Sequence, residues 1–209
     1  MTLTLWQISF SPNSIKPRLA LNYKKLPFEI VDINPQDRSD LVEATGQELT
    51  PVLVDDGKVI YDSQAILRYL DGNFRETPRC FPADREGARE VESWEIWAKH
   101  DLSPAMGLMI EALFGEGDGA AGITTANEIM NRAAEKIESA LDGKPWLCGE
   151  NVSAADFTAA PFMHYALLPE PDENTHPLVA HFAKNLKLTV PHERTADWVK
   201  RTMAYDVVS

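Results

Sequence analysis

Apolar and polar residues alternate over residues 3–8 (LTLWQI), which predicts a first strand. A polar turn at 9–14 leads into a helix over 15–25, with Ser14 placed to cap it and Pro17 tolerable only within its first turn. Residues 28–33 form a second predicted strand, and the polar, poorly periodic segment 34–48 has room for a short helix near 38–44. Residues 49–70 carry the clearest pattern. A strand is entered through Pro51, turns at Asp55-Asp56-Gly57-Lys58, continues as a second short strand, and gives way to a helix opened by Asp62-Ser63. Proline is tolerated at a strand's start, and Gly57 is free to take positive φ in the turn. Ala65, Ile66, Tyr69 and Leu70 then share one helical face. The predicted order is β-α-β-α-β-β-α.

Periodicity lapses between 73 and 84, where Pro78 and Pro82 fall. We place an N-terminal α/β domain at 1–76, a linker at 77–84 and an all-α C-terminal domain at 85–209. Beyond the linker the period is helical throughout. Val91, Trp94, Ala98, Leu102, Ala105, Met109 and Leu113 mark a helix over 85–114, which Pro104 should bend or restart. Glycines at 115–119 break it, and Ala126, Met130, Ala133, Ile137 and Leu141 mark the next helix over 124–141. Ser153 with Asp156 has the spacing of a variant capping box, and Val152 with Phe157 that of the apolar staple around it. Residues 169–174 form an acidic loop, and two closing helices are expected at 176–188 and 192–203.

Composition narrows the function classes. The chain of 209 residues has 32 acidic and 20 basic side chains, a formal charge of −12. That excess argues against broad binding to nucleic acid or anionic membrane, both of which need concentrated positive charge. No stretch reaches the roughly 18 apolar residues of a membrane span, and no basic leader is visible, so a cytoplasmic location is expected. The cysteines, Cys80 and Cys148, give neither a disulfide framework nor a ligand cluster, and the histidine spacing asks for no metal. Cys148 is expected to be buried and inert, Cys80 more exposed.

The run over 49–70, together with the Trp146-Leu147-Cys148-Gly149 segment and the Ser153–Asp156 box, resembles the glutathione transferase superfamily across nearly the whole chain. The resemblance implies a thioredoxin-like first domain followed by an all-helical one. It implies a cis bond between Thr50 and Pro51, with the Thr50 backbone offered to the cysteinyl part of glutathione. It assigns Asp62 and Ser63 to the γ-glutamyl end: a helix N-terminus suits a carboxylate, and Asp62 suits an ammonium group. A plain helix cap is the competing role for that pair. The box at Ser153–Asp156 is implied to serve folding.

Ser11-Pro12-Asn13-Ser14 stands where related redox proteins carry Cys-Pro-x-Cys. A serine forms no mixed disulfide, so thiol–disulfide exchange by this pair is excluded. A hydroxyl can instead donate to a thiolate and lower the thiol's pKa. Serine-type members of the superfamily use the Ser11 position for this, and Asn13 is a secondary donor in a form similar to etherase-like bacterial and fungal members. Ser9 is a rival, whereas Ser14 is better explained as a cap. Lys16, Arg38, Gln47 and Lys58 are open candidates for the glycyl carboxylate. The resemblance places Phe10, Trp97, His100, Asp101, Met106 and Met109 near a second-substrate pocket.

The resemblance therefore implies a homodimeric enzyme with glutathione as co-substrate and a small hydrophobic electrophile as partner, without nucleic acid or membrane. Two alternatives stay open: a peroxidase or dehalogenase at the same site, and a non-catalytic module binding glutathione, apolar ligands or protein.

Overall fold

The structure is a computed structural model that describes residues 2–115 and 119–207. The chain divides into two compact units, Met1–Ala88 together with Ala204–Ser209, and Arg89–Met203. The sequence pattern groups residues 204–207 with the helices, whereas the structure groups them with the first unit.

The first unit holds a four-stranded mixed sheet of order β2-β1-β3-β4, built from β1 (Leu3–Gln7), β2 (Phe28–Asp32), β3 (Val52–Asp55) and β4 (Lys58–Tyr61). With α1 (Pro12–Tyr23), α2 (Ser39–Thr45) and α3 (Ser63–Asn73), it realises the predicted β-α-β-α-β-β-α order. β1 runs parallel to β2 through the α1 crossover and antiparallel to β3, which turns tightly into β4. Ile30, Leu5, Leu53 and Ile60 form one cross-strand row. Trp6 and Val52 point to the opposite face, where Val52 joins Ile33 and Leu41 in a buried cluster.

Helix α1 departs from its predicted start. It opens at Pro12, whose missing N–H is harmless in the first turn, and Ser11 is its N-cap. Ser14 is therefore not the cap. It is buried, and its hydroxyl accepts the Ile8 N–H at 3.3 Å. Pro17 lies inside the helix rather than in its first turn.

The second unit is all-helical and begins within α4 (Arg85–Trp97), at Arg89. α4 and α5 (Pro104–Phe114) are separated by a π-helical turn at Ala98–Leu102, closed by a Ser103 N–H to Ala98 carbonyl bond of 2.8 Å. Proline at 104 cannot donate and crowds the carbonyl four residues back, so the helix widens there and restarts with Pro104 at its first position. The expected break over 115–119 falls partly outside the described residues. α6 (Ala120–Ala140) begins earlier than the pattern suggests. α7 (Ala154–His164), α8 (Pro177–Asn185) and α9 (Glu193–Met203) complete the unit.

Asp156 fixes this unit's interior. It is fully buried and accepts the N–H groups of Leu147 (3.0 Å) and Ser153 (2.8 Å), the Ser153 hydroxyl (2.9 Å) and the Trp198 indole N–H (2.8 Å). Burial pushes its carboxyl pKa up, against the pull of these bonds. One side chain thus ties the 147 loop, the start of α7 and α9 together. A face of α6 holds the 185–195 segment similarly. Asn127 accepts the Lys187 N–H at 2.6 Å, and Asn131 accepts the Thr189 N–H at 2.7 Å. Glu138 accepts the Thr195 N–H and hydroxyl, both at 2.8 Å, and the Arg194 side chain at 3.1 Å.

Asp156→Asn replaces an acceptor oxygen with a donor and strands a buried N–H. We predict a loss of about 2–4 kcal/mol in unfolding free energy, measured by urea denaturation. Glu138 gives a pH signature. Burial pushes its carboxyl up, but the bonds from Thr195 and Arg194 outweigh this and hold it below its ordinary 4.5. Its stabilisation is present above that value and is lost as the pH falls through the lowered pKa. Glu138→Gln should therefore flatten the acid limb of a stability-versus-pH curve.

Candidate functional site

Strand register decides which loops meet. Trp6 pairs with Val52, and Val52 with Tyr61. The last residues of β1, the first of β3 and the last of β4 therefore lie at one end of the sheet. Adjacent strands are about 4.8 Å apart, so the three chain ends span roughly 10 Å. From them extend the Ser11 turn, the Thr50–Pro51 pair and the Asp62–Ser63 helix start.

Ser11 is half-buried, in extended conformation (φ −74°, ψ 127°), and its hydroxyl makes no capping bond. Its N–H donates to the Ile8 carbonyl at 2.9 Å, closing the turn. It stands at the N-terminus of a 12-residue helix, whose dipole favours a negative charge. Asn13, at the second helical position, is exposed. Ser9 is exposed too, but its carbonyl accepts from Arg18 at 3.1 Å.

The Thr50–Pro51 bond is cis, with Pro51 buried and Thr50 half-buried. Asp62 is exposed, at φ 69°, a conformation that few side chains other than Asp and Asn accept. Its Oδ1 accepts the N–H groups of Gln64 (2.9 Å) and Ala65 (3.1 Å), so Asp62 does cap α3. Both bonds fall on Oδ1, and among the described residues no hydrogen bond reaches Oδ2. Ser63 is buried as the first residue of α3.

The open candidates separate. Lys58 opens β4 at the opposite end of the sheet, where its ammonium lies 4.5 Å from the Tyr69 ring centroid. Lys16 is buried in α1 rather than solvated. Arg38 donates to the Glu48 carbonyl at 2.8 Å, latching the loop that leads to Thr50, and Gln47 is half-buried in that loop.

In the second unit His100 and Asp101 are exposed on the π-helical turn, whereas Met106 and Met109 are buried core. Trp97 is half-buried and packs edge-on to Trp94 with centroids 5.2 Å apart. The Lys136 ammonium sits 4.7 Å from the Trp97 ring and 5.1 Å from the Trp94 ring. Phe10, in the first unit, is half-buried in the turn after β1.

Cys80, expected to be the more exposed thiol, is the more buried of the two. Cys80 is buried and Cys148 half-buried. Burial pushes each thiol up to about 12, so neither supplies a thiolate near neutral pH. Among the described residues no group of three or more His, Cys, Asp and Glu could hold a metal ion, and no helix is long and apolar enough to cross a membrane.

Sequence patterning gives no hint of the role of Arg18. This cation is buried within α1 and bonds Gln7, Ser9 and Asp206. Residues 15–21 hold two basic side chains, Lys16 and Arg18, and nothing local singles out Arg18, whose acidic partner lies 188 residues away.

The family model described as glutathione S-transferase, N-terminal domain, matches residues 5–78, and the corresponding C-terminal domain model matches residues 120–201. A probable glutathione S-transferase, GSTU6, of Oryza sativa subsp. japonica is 29% identical over 74% of this chain and 68% of that protein. The FtsZ-localized protein A of Caulobacter vibrioides is 30% identical over 75% of this chain and 74% of its own. Among solved structures, the β-etherase LigF from Sphingobium superposes with a TM-score of 0.75 at 22% identity, covering 98% of this chain and 96% of that one, which speaks for the fold. The chain belongs to the glutathione S-transferase family.

Proposed function

We propose that this glutathione S-transferase family member binds reduced glutathione at the shared end of its sheet, ionises the thiol and presents the thiolate to a small apolar electrophile. The observation that carries this reading is the strand register. It brings a free hydroxyl at a helix N-terminus, a cis-proline strand entry and an acid-capped helix to one edge. In this reading the Ser11 hydroxyl donates to the sulfur, and the Thr50 backbone pairs with the cysteinyl part. The Ser63 N–H and hydroxyl take the γ-glutamyl carboxylate, because Asp62 already holds the Gln64 and Ala65 N–H groups. Asp62 takes the ammonium through the oxygen its cap bonds leave unused. Asn13 is a secondary donor. The thiol proton passes to solvent. The thiolate then forms a carbon–sulfur bond, either displacing a leaving group that departs with its electron pair or adding to an activated alkene whose carbanion takes a proton from solvent. Rate enhancement comes from lowering the thiol pKa and holding the nucleophile at reacting distance, without a covalent enzyme intermediate. Pairing as a homodimer belongs to the same proposal.

A second reading, a glutathione-fold module acting on a protein partner, draws on the 30% identical relative whose name records localisation with FtsZ. Thiol acidity separates the two, because a binding module has no need to depress it.

Ser11→Ala should raise the pKa of bound glutathione by about one to two units, the equivalent of one charge-assisted hydrogen bond. Thiolate absorbance across pH would report it, with affinity changed far less than turnover. An unshifted thiol in the wild-type complex would overturn the transferase reading in favour of the binding module. Asp62→Asn keeps the cap acceptor and tolerates the same backbone. We expect unchanged thermal stability and about tenfold weaker glutathione binding by calorimetry, from the lost ionic partner. Unchanged binding would reduce Asp62 to a cap.

A further inference from the structure

The last described residues return to the first unit and lie against one stretch of α1. Arg18 pairs with Asp206, the Asn22 amide donates to the Val207 carbonyl at 2.9 Å, and the Tyr23 and Tyr205 rings meet edge to face at 5.3 Å. Among these contacts, the Arg18 guanidinium reaches furthest. Its side chain is only 4% exposed. Nε and Nη2 engage the two carboxylate oxygens of Asp206, the latter at 2.7 Å. Nη1 turns the other way and donates to Gln7 Oε1 at 2.7 Å and to the Ser9 carbonyl at 3.1 Å. Gln7 in turn donates to Asp32 on β2 at 3.0 Å.

A guanidinium is planar, so two-point pairing along one edge fixes the direction of its remaining nitrogen. With Nε and Nη2 held by Asp206, Nη1 must point at the end of β1 and the turn that follows. That turn carries Ser11, two residues past the carbonyl that Nη1 holds. A buried guanidinium without its carboxylate would be an uncompensated charge, with every incentive to leave this position.

We infer that Asp206 is a positioning residue for the Ser11 turn: the C-terminal segment orients the Arg18 fork, and the fork sets where the Ser11 hydroxyl stands. This rests on the proposal that Ser11 is the thiolate donor, but the mechanical half can be measured without any ligand.

The test compares wild type with Asp206→Asn and Arg18→Lys in the full chain, by amide hydrogen exchange. Ser11 and Ser14 N–H groups report the turn; Leu5 and Leu53 report the strands. Both variants should speed exchange in the turn by about tenfold, the scale of one charge-assisted bond, and leave the strands unchanged. An unchanged turn overturns the inference. So does parallel acceleration of turn and strands, which would mean that the tail stabilises the unit as a whole. A retained turn in Arg18→Lys would show that charge, not the planar fork, is what matters, and also overturns it.

The thiol pKa of bound glutathione gives a second readout with a diagnostic sign. Loss of a nearby negative charge by itself lowers a thiol's pKa, whereas loss of a placed donor raises it. Asp206→Asn should raise it, and a fall would overturn the positioning role. If wild type leaves the thiol at its free value, the Ser11 reading fails, while the exchange contrast still decides the mechanical claim.

Discussion

The pairing of β3 between β1 and β4 is the constraint from which the first unit's chemistry follows. Leu5, Leu53 and Ile60 meet across three strands on one face, while Trp6 and Val52 meet on the other. A slip of one residue would turn each apolar set over, exchanging faces throughout β3. The same register sets Gln7, Pro51 and Tyr61 at a common edge. The loops that leave this edge are polar and irregular, and none of them could choose its neighbours. Core packing makes the choice, and the site inherits it.

Buried ionic groups perform a related task between distant parts of the sequence. Asp71 accepts the Lys24 ammonium at 3.1 Å and the Cys80 N–H at 2.7 Å, and Lys24 also donates to the Pro78 carbonyl at 2.8 Å. Asp156 gathers four donors in the second unit, and Arg18 joins Asp206 to the end of β1. Such groups are weak evidence for net stability, since removing charges from water offsets most of what their attraction supplies. Their value lies in geometry. Each has so many partners that misplacing one segment leaves a buried donor or charge unsatisfied, and that error costs far more than the interaction yields when made.

This difference in reach explains what the sequence could disclose. Period-two alternation at 3–8, the turn at 55–58 and the capping box at 153–156 are local signals, and the structure follows them. Pro104 is equally local: a residue that cannot donate must interrupt a helix, and only the form of the interruption, a π-helical turn, was unavailable from pattern. The start of α1 is misjudged because Ser14 resembles a cap, while Pro12 at the first helical position is the better marker. Cys80 lies in a stretch that reads as a linker, yet Asp71 draws its backbone inward and the residue is buried. Arg18 is hidden most deeply, since no local property of a helix announces a carboxylate near the opposite end of the chain.

The two serines of the Ser11-Pro12-Asn13-Ser14 turn illustrate how folding divides chemically equal groups. Ser14 is buried, and its oxygen is engaged by the Ile8 N–H. That bond replaces one that β1 would otherwise lack at its end, so the hydroxyl serves the fold. Ser11 is half-buried at the helix N-cap, and its backbone rather than its side chain closes the turn. A hydroxyl there faces the positive end of the α1 dipole with its proton still to give. An anion arriving at that point would meet both, and a thiolate gains from them while a neutral thiol gains little. It is this difference in stabilisation between the two protonation states, rather than tightness of binding, that lowers a pKa. The proposal for Ser11 therefore rests on what the fold leaves uncommitted: of two identical side chains three residues apart, one has been used to build the turn and the other has not.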